Sequence, residues 1–411
     1  MTASQPLDGI KVLDLTRALS GPFCTTLLAD MGADVIKIEG MEGDMIRRWG
    51  PFAGETSLYH LAVNRNKRSV RIDLRSEEGQ RLLFRLVEKS DVLVENFRPG
   101  VLSKLGLDPA YLEVEAPHLI VASVTGFGPE GALRDDAAFD QIAQGMGGLM
   151  SVTGLAHTGP IRVGIPISDI LAGMTAALGI TASLAGGKTS RRGARVEASL
   201  LESVLSVLTF QAQRYLSVGE VAEPMGNDHP IMSPYGVFGA ADGPFNLAVG
   251  TEGQWRALCK AIGAPELAAH EKFADGELRR VNRSELRVEL EKRLVSKPAA
   301  AWLASLRALG VPAGPIHDMA GVFSDEQVLA LDMVQEVSHP ELGAIPVLRG
   351  PLRLGGRVTP VNRPAPMLGQ HTREVLETEL GIDQQEWSRL VTQHIAGDWV
   401  ARSHGLEEAD E

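Results

Sequence analysis

The chain has 411 residues, a formal net charge of −12 and a composition that is 44% hydrophobic and 22% charged. This length exceeds one ordinary domain and predicts two, while the acidic balance argues against a dedicated nucleic-acid binder. The two cysteines are too few for a disulfide framework or a thiolate metal site.

The sequence also carries information on compartment. Its first residues lack the charged region and apolar run of a signal peptide. The longest apolar stretch, Ile161–Ala185, is interrupted by Pro166 and Asp169, so no membrane span is predicted. We therefore expect a cytoplasmic protein with neither a membrane nor a nucleic acid as partner.

Strand and helix patterns alternate through the N-terminal third of the chain. The first two strands are separated by a helix that Pro22 opens and Gly32 closes, which makes them a parallel pair. Ser76 followed by the acidic Glu77 opens the next helix. This alternation predicts an α/β fold with a mostly parallel sheet. The predicted strands are Ile10–Leu15, Ala33–Glu39, Ser69–Leu74, Val92–Glu95 and Leu119–Thr125.

Helical patterns dominate the middle of the chain, up to about residue 220. They cover Ala137–Met150 and Asp169–Leu184, and after a basic, glycine-rich turn at Gly186–Arg195 they resume at Leu200–Leu216. Residues 1–220 are therefore assigned to a large domain.

The composition changes after residue 220. Tyr235–Phe238 and Phe245–Val249 predict a hairpin. Helical patterns follow, so residues 225–330 are predicted to form a smaller α+β domain; these helices are Glu252–Ile262, Ser284–Leu294 and Pro298–Leu309. Residues 331–400 form a C-terminal segment with short strands in Pro340–Leu354 and an amphipathic helix from Arg373, and residues 401–411 are a charged tail.

The loop after the first strand is the first candidate for ligand binding. In a doubly wound sheet, ligands bind at the carboxyl ends of the strands. The loop lacks the G-x-G-x-x-G pattern of dinucleotide sites, which argues against a nicotinamide or flavin cofactor. Arg17 in this loop is either a contact for an anionic ligand or an ordinary surface arginine.

A basic cluster is the second candidate. Five positive side chains opposed by one aspartate within eleven residues predict a cradle for phosphates, and a solvated face is the alternative. Residues after the next strand lie alongside, where Phe97 can pack against a purine. The cluster is Arg65, Lys67, Arg68, Arg71 and Arg75 with Asp73, and its neighbours are Asn96, Phe97, Arg98 and Lys104.

Asp169 is the third candidate, at the start of the helical pattern in ILAGMTAALGI. It is either a helix N-cap or a nucleophilic carboxylate that the helix-start N–H groups keep ionised. Asp140 is a second candidate carboxylate. No metal-binding spacing and no G-x-S-x-G motif occur, so no metal is proposed, and His229 is more typical of a structural residue.

A series of motifs runs in one order along nearly the whole chain. They are LDGIKVLDLTRALSGPFCTTLLADMGADVIKIE, GDMIRRWGP, NRNKRSVRIDL, DVLVENFRPG, GLMSVTG, HPIMSPYGVF, GVPAGPI and APMLGQHT. Together they resemble the class III CoA-transferases, the CaiB/BaiF family of formyl-CoA:oxalate transferase, carnitine CoA-transferase and α-methylacyl-CoA racemase. The resemblance implies a homodimer of two interlocked chains. Each would have a Rossmann-like large domain, built from the N-terminal half and the C-terminal segment, and a smaller domain between.

The resemblance also implies a reaction. The catalytic aspartate of the family falls on Asp169, whose carboxylate would attack the thioester of a donor acyl-CoA. An aspartyl mixed anhydride and then an aspartyl-CoA thioester would carry CoA to the incoming acid. Coenzyme A is thus a substrate, and no permanently bound cofactor is expected. Gly226 and Asn227 are our candidates for the loop whose backbone N–H groups hold the oxyanions.

Further site residues follow from the same resemblance. Met45 and Tyr59 match positions that line the thioester pocket, and His229 and Phe139 belong to motifs near the substrate. A family lysine that contacts CoA is Ala137 here. The family's other CoA contacts fall on Ala18, Ile72, Arg75, Asn96, Phe97 and Lys104.

Two departures from the family pattern narrow the function. Racemases carry Gly-His-Asp where this chain has Ala138-Phe139-Asp140, and the missing histidine favours a transferase. The glutamine that helps to hold oxalate is Leu19, which favours a longer acid, and Arg17 is predicted to pair with its far carboxylate. We therefore predict CoA transfer from a succinyl-like donor to a small, dicarboxylic acid. The alternatives are a racemase-like enzyme and a CoA-binding protein without turnover.

Overall fold

A computed structural model describes residues 5–190 and 193–400. The described residues fall into two compact units. The first takes its residues from Met1–Leu149, Arg162–Glu220 and Asp332–Glu411, and the second is built from Met150–Ile161 and Val221–Leu331. The segment Met150–Ile161, which the sequence analysis assigned to the large domain, groups with the second unit. The predicted tail at 401–411 lies outside the described residues.

The strands and helices are numbered in chain order. The strands are β1 (Lys11–Asp14), β2 (Asp34–Glu39), β3 (Phe52–Ala53), β4 (Thr56–Ser57), β5 (Lys67–Ile72), β6 (Val92–Glu95), β7 (Ile120–Thr125), β8 (Arg195–Ser199), β9 (Tyr235–Gly239), β10 (Pro244–Ala248), β11 (Ala313–Pro315), β12 (Val334–His339), β13 (Gly343–Leu348), β14 (Arg353–Leu354), β15 (Arg357–Val358) and β16 (Ala396–Gly397). The α-helices are α1 (Ser20–Asp30), α2 (Leu58–Ala62), α3 (Glu77–Val87), α4 (Val101–Lys104), α5 (Pro109–Glu115), α6 (Asp140–Met146), α7 (Ile167–Ser190), α8 (Leu200–Val207), α9 (Thr209–Val218), α10 (Glu252–Ala261), α11 (Gly276–Val281), α12 (Arg283–Leu294), α13 (Ala299–Ala308), α14 (Met319–Ser324), α15 (Glu326–Ala330), α16 (Thr372–Leu380) and α17 (Gln384–Thr392).

The first unit is built on a mostly parallel sheet. Within the described ranges the sheet has seven strands in the order β16-β5-β2-β1-β6-β7-β8, of which β16 alone runs antiparallel to its neighbour. The chain starts in the centre, moves to one side through β2 and β5, and returns to the other side from β6 to β8. This order defines a doubly wound sheet, whose switch point lies between β1 and β6.

Neighbouring residues of the central strand serve opposite faces of the sheet. Leu13 of β1 belongs to a core formed with α3, α5, α16 and α17. Val12 belongs to a second core formed with α1, α6 and α7. Because side chains alternate along a strand, a continuous apolar run buries both faces, which the predicted aliphatic strands require.

All three predicted middle helices differ from those observed. The helix predicted at Ala137–Met150 is the shorter α6, Asp140–Met146. The helix predicted at Asp169–Leu184 runs instead from Ile167 to Ser190, so it occupies part of the basic turn predicted at Gly186–Arg195. Residues 191–192 of that turn lie outside the described ranges. The helix predicted at Leu200–Leu216 is divided into α8 and α9, because Thr209 adopts a φ of 45° at the junction.

By length and composition α7 is apolar enough to cross a membrane, and a third of its most apolar window is buried within the chain. One apolar face of α7 packs inside the protein. Ala172, Ala176 and Ile180 are fully buried in the core that α7 shares with α1. Met174 and Leu178 are half or more exposed on another face of the helix.

The second unit is an α+β assembly. The predicted hairpin is observed as β9 and β10, and β11 adds a third antiparallel strand. Helices α10, α12 and α13 cover the sheet with a core that contains the buried Trp255 and Trp302. A capping box at Thr251 and Gln254 begins α10.

The C-terminal segment returns to the first unit. Its hairpin of β12 and β13 precedes α16, whose Val375 and Leu376 are buried against the sheet. The sequence analysis missed α17 and β16. In β16, Ala396 pairs with Ile72 of β5 and thereby covers that edge of the sheet.

Candidate active site

The loops after β1 and β6 meet at the switch point of the sheet. The side-chain amide of Asn96 binds the backbone of Arg17 at both polar atoms. Its Oδ1 accepts from the Arg17 N–H at 2.8 Å, and its Nδ2 donates to the Arg17 carbonyl at 2.8 Å. Asn96 therefore joins the two loops. Its role as a direct CoA contact stays a prediction.

Buried charged residues stabilise the loop that follows β1 (the β1 loop). Ala18 adopts a φ of 60°, which is unusual for a residue with a side chain. Its N–H donates to Asp44 Oδ1 at 3.2 Å, and Lys37 Nζ binds both Asp44 at 3.1 Å and the Thr16 carbonyl at 2.7 Å. These contacts stabilise the strained loop conformation.

A second buried ion pair lies at the end of β1. Asp14 Oδ2 contacts Lys67 Nζ at 3.0 Å, and both side chains are inaccessible to solvent. Burial alone would raise the pKa of Asp14, but Lys67, Lys37 and two threonine hydroxyls together hold it below its usual value. Lys67 also donates to the Pro22 carbonyl at 2.9 Å, so the pair links β5 to α1.

Asp169 lies in the first turn of α7, where α7 approaches α1 very closely. A Cβ placed on Gly173 would lie 2.5 Å from the Ser20 carbonyl oxygen and 3.2 Å from the Cys24 nitrogen. Glycine at this position allows the first turns of α7 to lie against the start of α1, which carries Ser20. The close helix contact thus brings Asp169 to the loop that follows β1.

The environment of Asp169 differs from the sequence-based expectation. Burial, together with the negative charge of Asp140, raises the pKa of Asp169 to about 7, and the hydrogen bond from Ser20 opposes this shift. The sequence analysis expected helix-start N–H groups to keep the carboxylate ionised. The raised pKa runs against that expectation, because burial disfavours the ionised form.

Replacing Gly173 with alanine tests this helix contact. The added Cβ meets backbone atoms, so α1 and α7 must separate and Asp169 must move relative to the β1 loop. We expect turnover to fall by roughly 10²-fold, since displacements of about 1 Å have such effects. Gly186→Ala, in the same helix, is the matched control because its Cβ would enter open space. Equal turnover in the two variants would contradict the account.

Asp140 is held by a set of hydrogen bonds at the start of α6. Its Oδ1 accepts from the N–H and the hydroxyl of Ser168 at 2.9 and 2.5 Å, and its Oδ2 accepts from Gln144 at 2.7 Å. These bonds tie α6 to the beginning of α7. Phe139, which precedes Asp140, is 64% exposed. The hydrogen bonds fix the position of the Asp140 carboxylate, and its negative charge helps to raise the pKa of Asp169.

Aromatic and apolar residues lie around the β1 loop. Leu19 is buried in a small cluster with Ile46 and Val63, and Tyr59 packs against this cluster. Burial and the charges of Asp169 and Asp140 raise the pKa of Tyr59, which places its ring near the two carboxylates. Met45 begins the adjacent turn and is exposed.

The predicted phosphate cradle is not formed by most of its residues. Arg65 binds Asp30 at 2.5 Å, and Lys67 forms an ion pair with Asp14. Arg68 pairs with Asp34 at 2.6 Å, and Arg71 donates to the Met41 carbonyl. The charges of Arg65, Lys67 and Arg68 are thus neutralised inside the fold. Neither the cradle nor the solvated face is correct for these three, because their partners are remote in sequence.

The remaining predicted CoA contacts fall into two groups. Arg75 and Lys104 are exposed, so both are free to meet a phosphate. Ile72 is fully buried in the core, so any contact with CoA would involve its backbone. The guanidinium of Arg17 lies 5.2 Å from the centre of the Phe97 ring.

Gly226, Asn227 and His229 belong to the second unit. Gly226 adopts a φ of 61° and donates its N–H to the Gly154 carbonyl at 2.7 Å. The ring of His229 stacks on Tyr235, and its Nδ1 accepts two backbone N–H groups. These contacts give His229 a structural role in its turn. In the described parts of the chain, no group of three or more His, Cys, Asp or Glu side chains is arranged to hold a metal.

Two contributors to the site were missed by sequence reasoning. Ser20 was read only as part of a loop, although a serine at a helix start beside a glycine is a recognisable signal. Asp44 and Lys37 gave no local signal, because their pairing joins a strand to a distant turn.

The chain is similar to known proteins over most of its length. The model of CoA-transferase family III matches residues 7–372. The human succinyl-CoA:glutarate CoA-transferase is 37% identical over 95% of this chain and 90% of its own. The acetyl-CoA:oxalate CoA-transferase of Acetobacter aceti is 39% identical over 89% of this chain and 93% of its own. A crystal structure of a CAIB/BAIF family protein from Brucella suis is 38% identical, covers 92% of this chain and 100% of that chain, and has a TM-score of 0.82.

The chain therefore belongs to CoA-transferase family III. It is a CoA-transferase whose substrates are CoA thioesters and carboxylates. The predicted α/β class, with a large and mostly parallel sheet, is confirmed by the solved relative.

Proposed function

We propose that the protein transfers CoA from succinyl-CoA, or a similar donor, to a small dicarboxylic acid, with Asp169 as the covalent nucleophile. The observation that carries this proposal is the position of Asp169. A half-buried carboxylate with a pKa of about 7 lies beside the loop after β1, at the switch point where doubly wound sheets bind ligands.

The steps exchange activated carboxyl groups. The Asp169 carboxylate attacks the thioester carbon, the C–S bond breaks, and CoA thiolate leaves an aspartyl mixed anhydride. The thiolate then attacks the aspartyl carbonyl and releases the donor acid. The acceptor carboxylate next attacks the aspartyl-CoA thioester and frees the CoA thiolate. The thiolate then attacks the acceptor acyl carbon of the new anhydride, which forms the product acyl-CoA and releases the Asp169 carboxylate. Each tetrahedral oxyanion requires N–H donors; of our two candidates, the Gly226 N–H already donates to the Gly154 carbonyl, so only the N–H of Asn227 is proposed for this role.

The shifted pKa gives the reaction a defined pH dependence. The nucleophile must be ionised, so kcat/KM should rise as the pH increases through about 7, the pKa of Asp169. Asp140→Asn removes the nearby negative charge, which should lower this pKa and move the rise toward lower pH by about one unit. The pH profiles of the two proteins provide the measurement. A profile unaffected by Asp140→Asn would contradict the proposed electrostatic coupling.

The acceptor is inferred from the relatives and from the loop. Glutarate and oxalate, the acceptors in the names of two relatives, are both dicarboxylic acids. Leu19 stands where the oxalate enzyme has a glutamine that helps to hold oxalate, which favours an acid longer than oxalate. Arg17 is exposed and supplies the positive charge that a second carboxylate needs.

A panel of acids tests both the function and the role of Arg17. Wild-type protein with succinyl-CoA should form new CoA esters of dicarboxylic acids, detected by mass spectrometry. In Arg17→Ala the KM for a dicarboxylic acid should rise roughly 10-fold, and that for a monocarboxylic acid of equal length should change little. Equal changes, or a change confined to the KM for acyl-CoA, would instead make Arg17 a CoA contact.

The same assay separates the alternatives. If no ester forms and solvent deuterium enters the α-carbon of a chiral acyl-CoA, the protein is racemase-like. If CoA binds without either reaction, the protein is a CoA-binding protein without turnover. Phe139, which stands where racemases have histidine, favours the transferase.

We further propose that the enzyme is a cytoplasmic homodimer of interlocked chains. Helices α6, α7 and α8 pack against one another. These helices and α9 leave large apolar side chains exposed, and burying them against a second chain would stabilise the dimer. They include Ile142, Met174, Leu178, Leu205 and Phe210. Cys24 and Cys259 are both free and buried, as expected in a reducing compartment.

A further inference from the structure

Arg17 is an exposed residue whose backbone is held in place by a side chain from another loop. The Asn96 amide binds both polar atoms of that backbone: Oδ1 accepts from the Arg17 N–H at 2.8 Å, and Nδ2 donates to the Arg17 carbonyl at 2.8 Å. Exchanging the two amide atoms would break both bonds, so these contacts determine the orientation of the amide. The backbone of Arg17 is therefore fixed by the loop that follows β6.

The residues on either side of Arg17 are anchored as well. The N–H of Thr16 donates to Asp14 Oδ1 at 2.8 Å. The N–H of Ala18 donates to Asp44 Oδ1 at 3.2 Å. Both aspartates are buried, so these anchors belong to the interior of the fold. The chain thus enters and leaves Arg17 along a fixed path, and the side chain of Arg17 starts from a defined position.

The other end of the Arg17 side chain lies against an aromatic ring. Its guanidinium carbon is 5.2 Å from the centre of the Phe97 ring, within the range of about 6 Å in which a ring attracts a cation. Phe97 packs against the core on one face of the sheet, so the ring is a firm support. Among the described residues, Arg17 forms no ion pair with a carboxylate, unlike Arg65 and Arg68.

We propose that Asn96 and Phe97 are positioning residues for Arg17 and that together they set the preference of the enzyme for acids with a second carboxylate. This inference rests on the proposed function, in which the Arg17 guanidinium pairs with the far carboxylate of the acid. Asn96 fixes the backbone from which the side chain extends, and Phe97 holds the guanidinium.

The physical reason is the flexibility of arginine. Its side chain has many rotamers, and an ion pair with a substrate must restrict them. In this chain part of the restriction is present before the substrate binds, because the backbone of Arg17 is fixed and its guanidinium rests on Phe97. Such preorganisation strengthens binding. A carboxylate partner within the chain would occupy the guanidinium N–H groups, whereas an aromatic ring leaves most of them for a substrate.

Selectivity between two acids of equal length measures this effect. The readout is the kcat/KM for glutarate divided by that for pentanoate, with succinyl-CoA as the donor. This ratio cancels general losses of folded protein or of acyl-CoA binding. Phe97→Leu should lower it about 3-fold, the effect of an exposed cation–π contact. Asn96→Ala should lower it about 5-fold, because two hydrogen bonds to the Arg17 backbone are lost. Arg17→Ala should lower it roughly 10-fold.

Two further variants separate positioning from packing. Phe97→Tyr keeps the aromatic face and should retain the wild-type ratio within about 2-fold. Phe84→Leu is the matched control, because Phe84 is half-buried like Phe97, packs against the same core, and has the ring of Tyr111 as its aromatic neighbour. It should keep the wild-type ratio. An equal fall of the ratio in Phe84→Leu and Phe97→Leu would overturn the positioning role of Phe97.

A double-mutant cycle tests whether Asn96 and Phe97 act through Arg17. In the Arg17→Ala background neither Phe97→Leu nor Asn96→Ala should lower the ratio further, since the guanidinium that they position is absent. Additive losses would overturn the proposal. A rise in the KM for succinyl-CoA in both backgrounds, with an unchanged ratio, would make Phe97 a CoA contact only and would overturn it as well.

The same data keep this inference apart from the proposed function. If the wild type prefers glutarate and Arg17→Ala loses that preference, while Phe97→Leu and Asn96→Ala keep it, the positioning role fails and the proposed function stands. If the wild type forms no CoA ester of either acid, the proposed function fails and this inference fails with it. A ratio that falls in both positioning variants, and no further in the Arg17→Ala background, supports both.

Discussion

Replacing Asp169 with asparagine is expected to lower the rate of CoA transfer by roughly 10³-fold or more, as for other nucleophiles that form covalent intermediates. Asparagine matches aspartate in size but cannot form the anhydride. Binding of acyl-CoA should survive, because the residues predicted to contact the nucleotide are elsewhere. Steady-state kinetics and equilibrium binding of CoA give the two measurements.

The stability of Asp169→Asn serves as the control, because it shows whether the variant is folded when its activity is measured. The folded-state pKa of Asp169, about 7, lies above its ordinary value of 3.8, so the folded chain retains a proton that the unfolded chain releases. Stability is therefore lost as the pH rises through this window. Asp169→Asn should be more stable than wild type at pH 8, by on the order of 2 kcal/mol, and the difference should shrink toward pH 4. Turnover within 10-fold of wild type in a folded variant would contradict the nucleophilic role.

Asp14→Asn should cause the largest loss of stability. Lys67 would remain buried without its carboxylate partner, and breaking a buried pair in this way typically costs about 3–5 kcal/mol. The free energy of unfolding from urea denaturation is the measurement. Activity should decline as well, because Asp14 also accepts from the N–H and hydroxyl of Thr16 at the start of the β1 loop.

Two further variants identify the cause of this loss. Asp14→Asn combined with Lys67→Met removes both charges and should recover a large part of the stability. Asp135→Asn removes one partner of an exposed pair with Arg134, so its effect should stay below about 1 kcal/mol. If Asp14→Asn were as mild as Asp135→Asn, the network under the loop would not have the role described.

The repetitive parts of the fold were predictable from local patterns. Aliphatic runs and helix signals such as Ser76 and Glu77 mark the central strands and α3, because these signals act within a few residues. The end of α7 and the strand β16 were missed. Their limits depend on packing against distant segments, such as the pairing of Ala396 with Ile72.

The site was predictable only where chemistry depends on residue type. Asp169 could be singled out from its motif, but its raised pKa depends on burial and on Asp140. The basic cluster failed for a similar reason. Charge counted along the chain ignored Asp14 and Asp30, which the fold brings to Lys67 and Arg65. Local positive charge indicates anion binding only after such internal partners are subtracted.

The most direct test is to trap the intermediate on Asp169. Protein incubated with succinyl-CoA and hydroxylamine should be converted to an aspartyl hydroxamate as activity is lost. Cleavage after Arg162 and Lys188 releases a peptide in which Asp169 is the only acidic side chain. A hydroxamate in this peptide is therefore located on Asp169. We predict that this peptide gains the mass of one NH group only when acyl-CoA is present. An unmodified peptide from protein that is turning over would contradict the covalent mechanism.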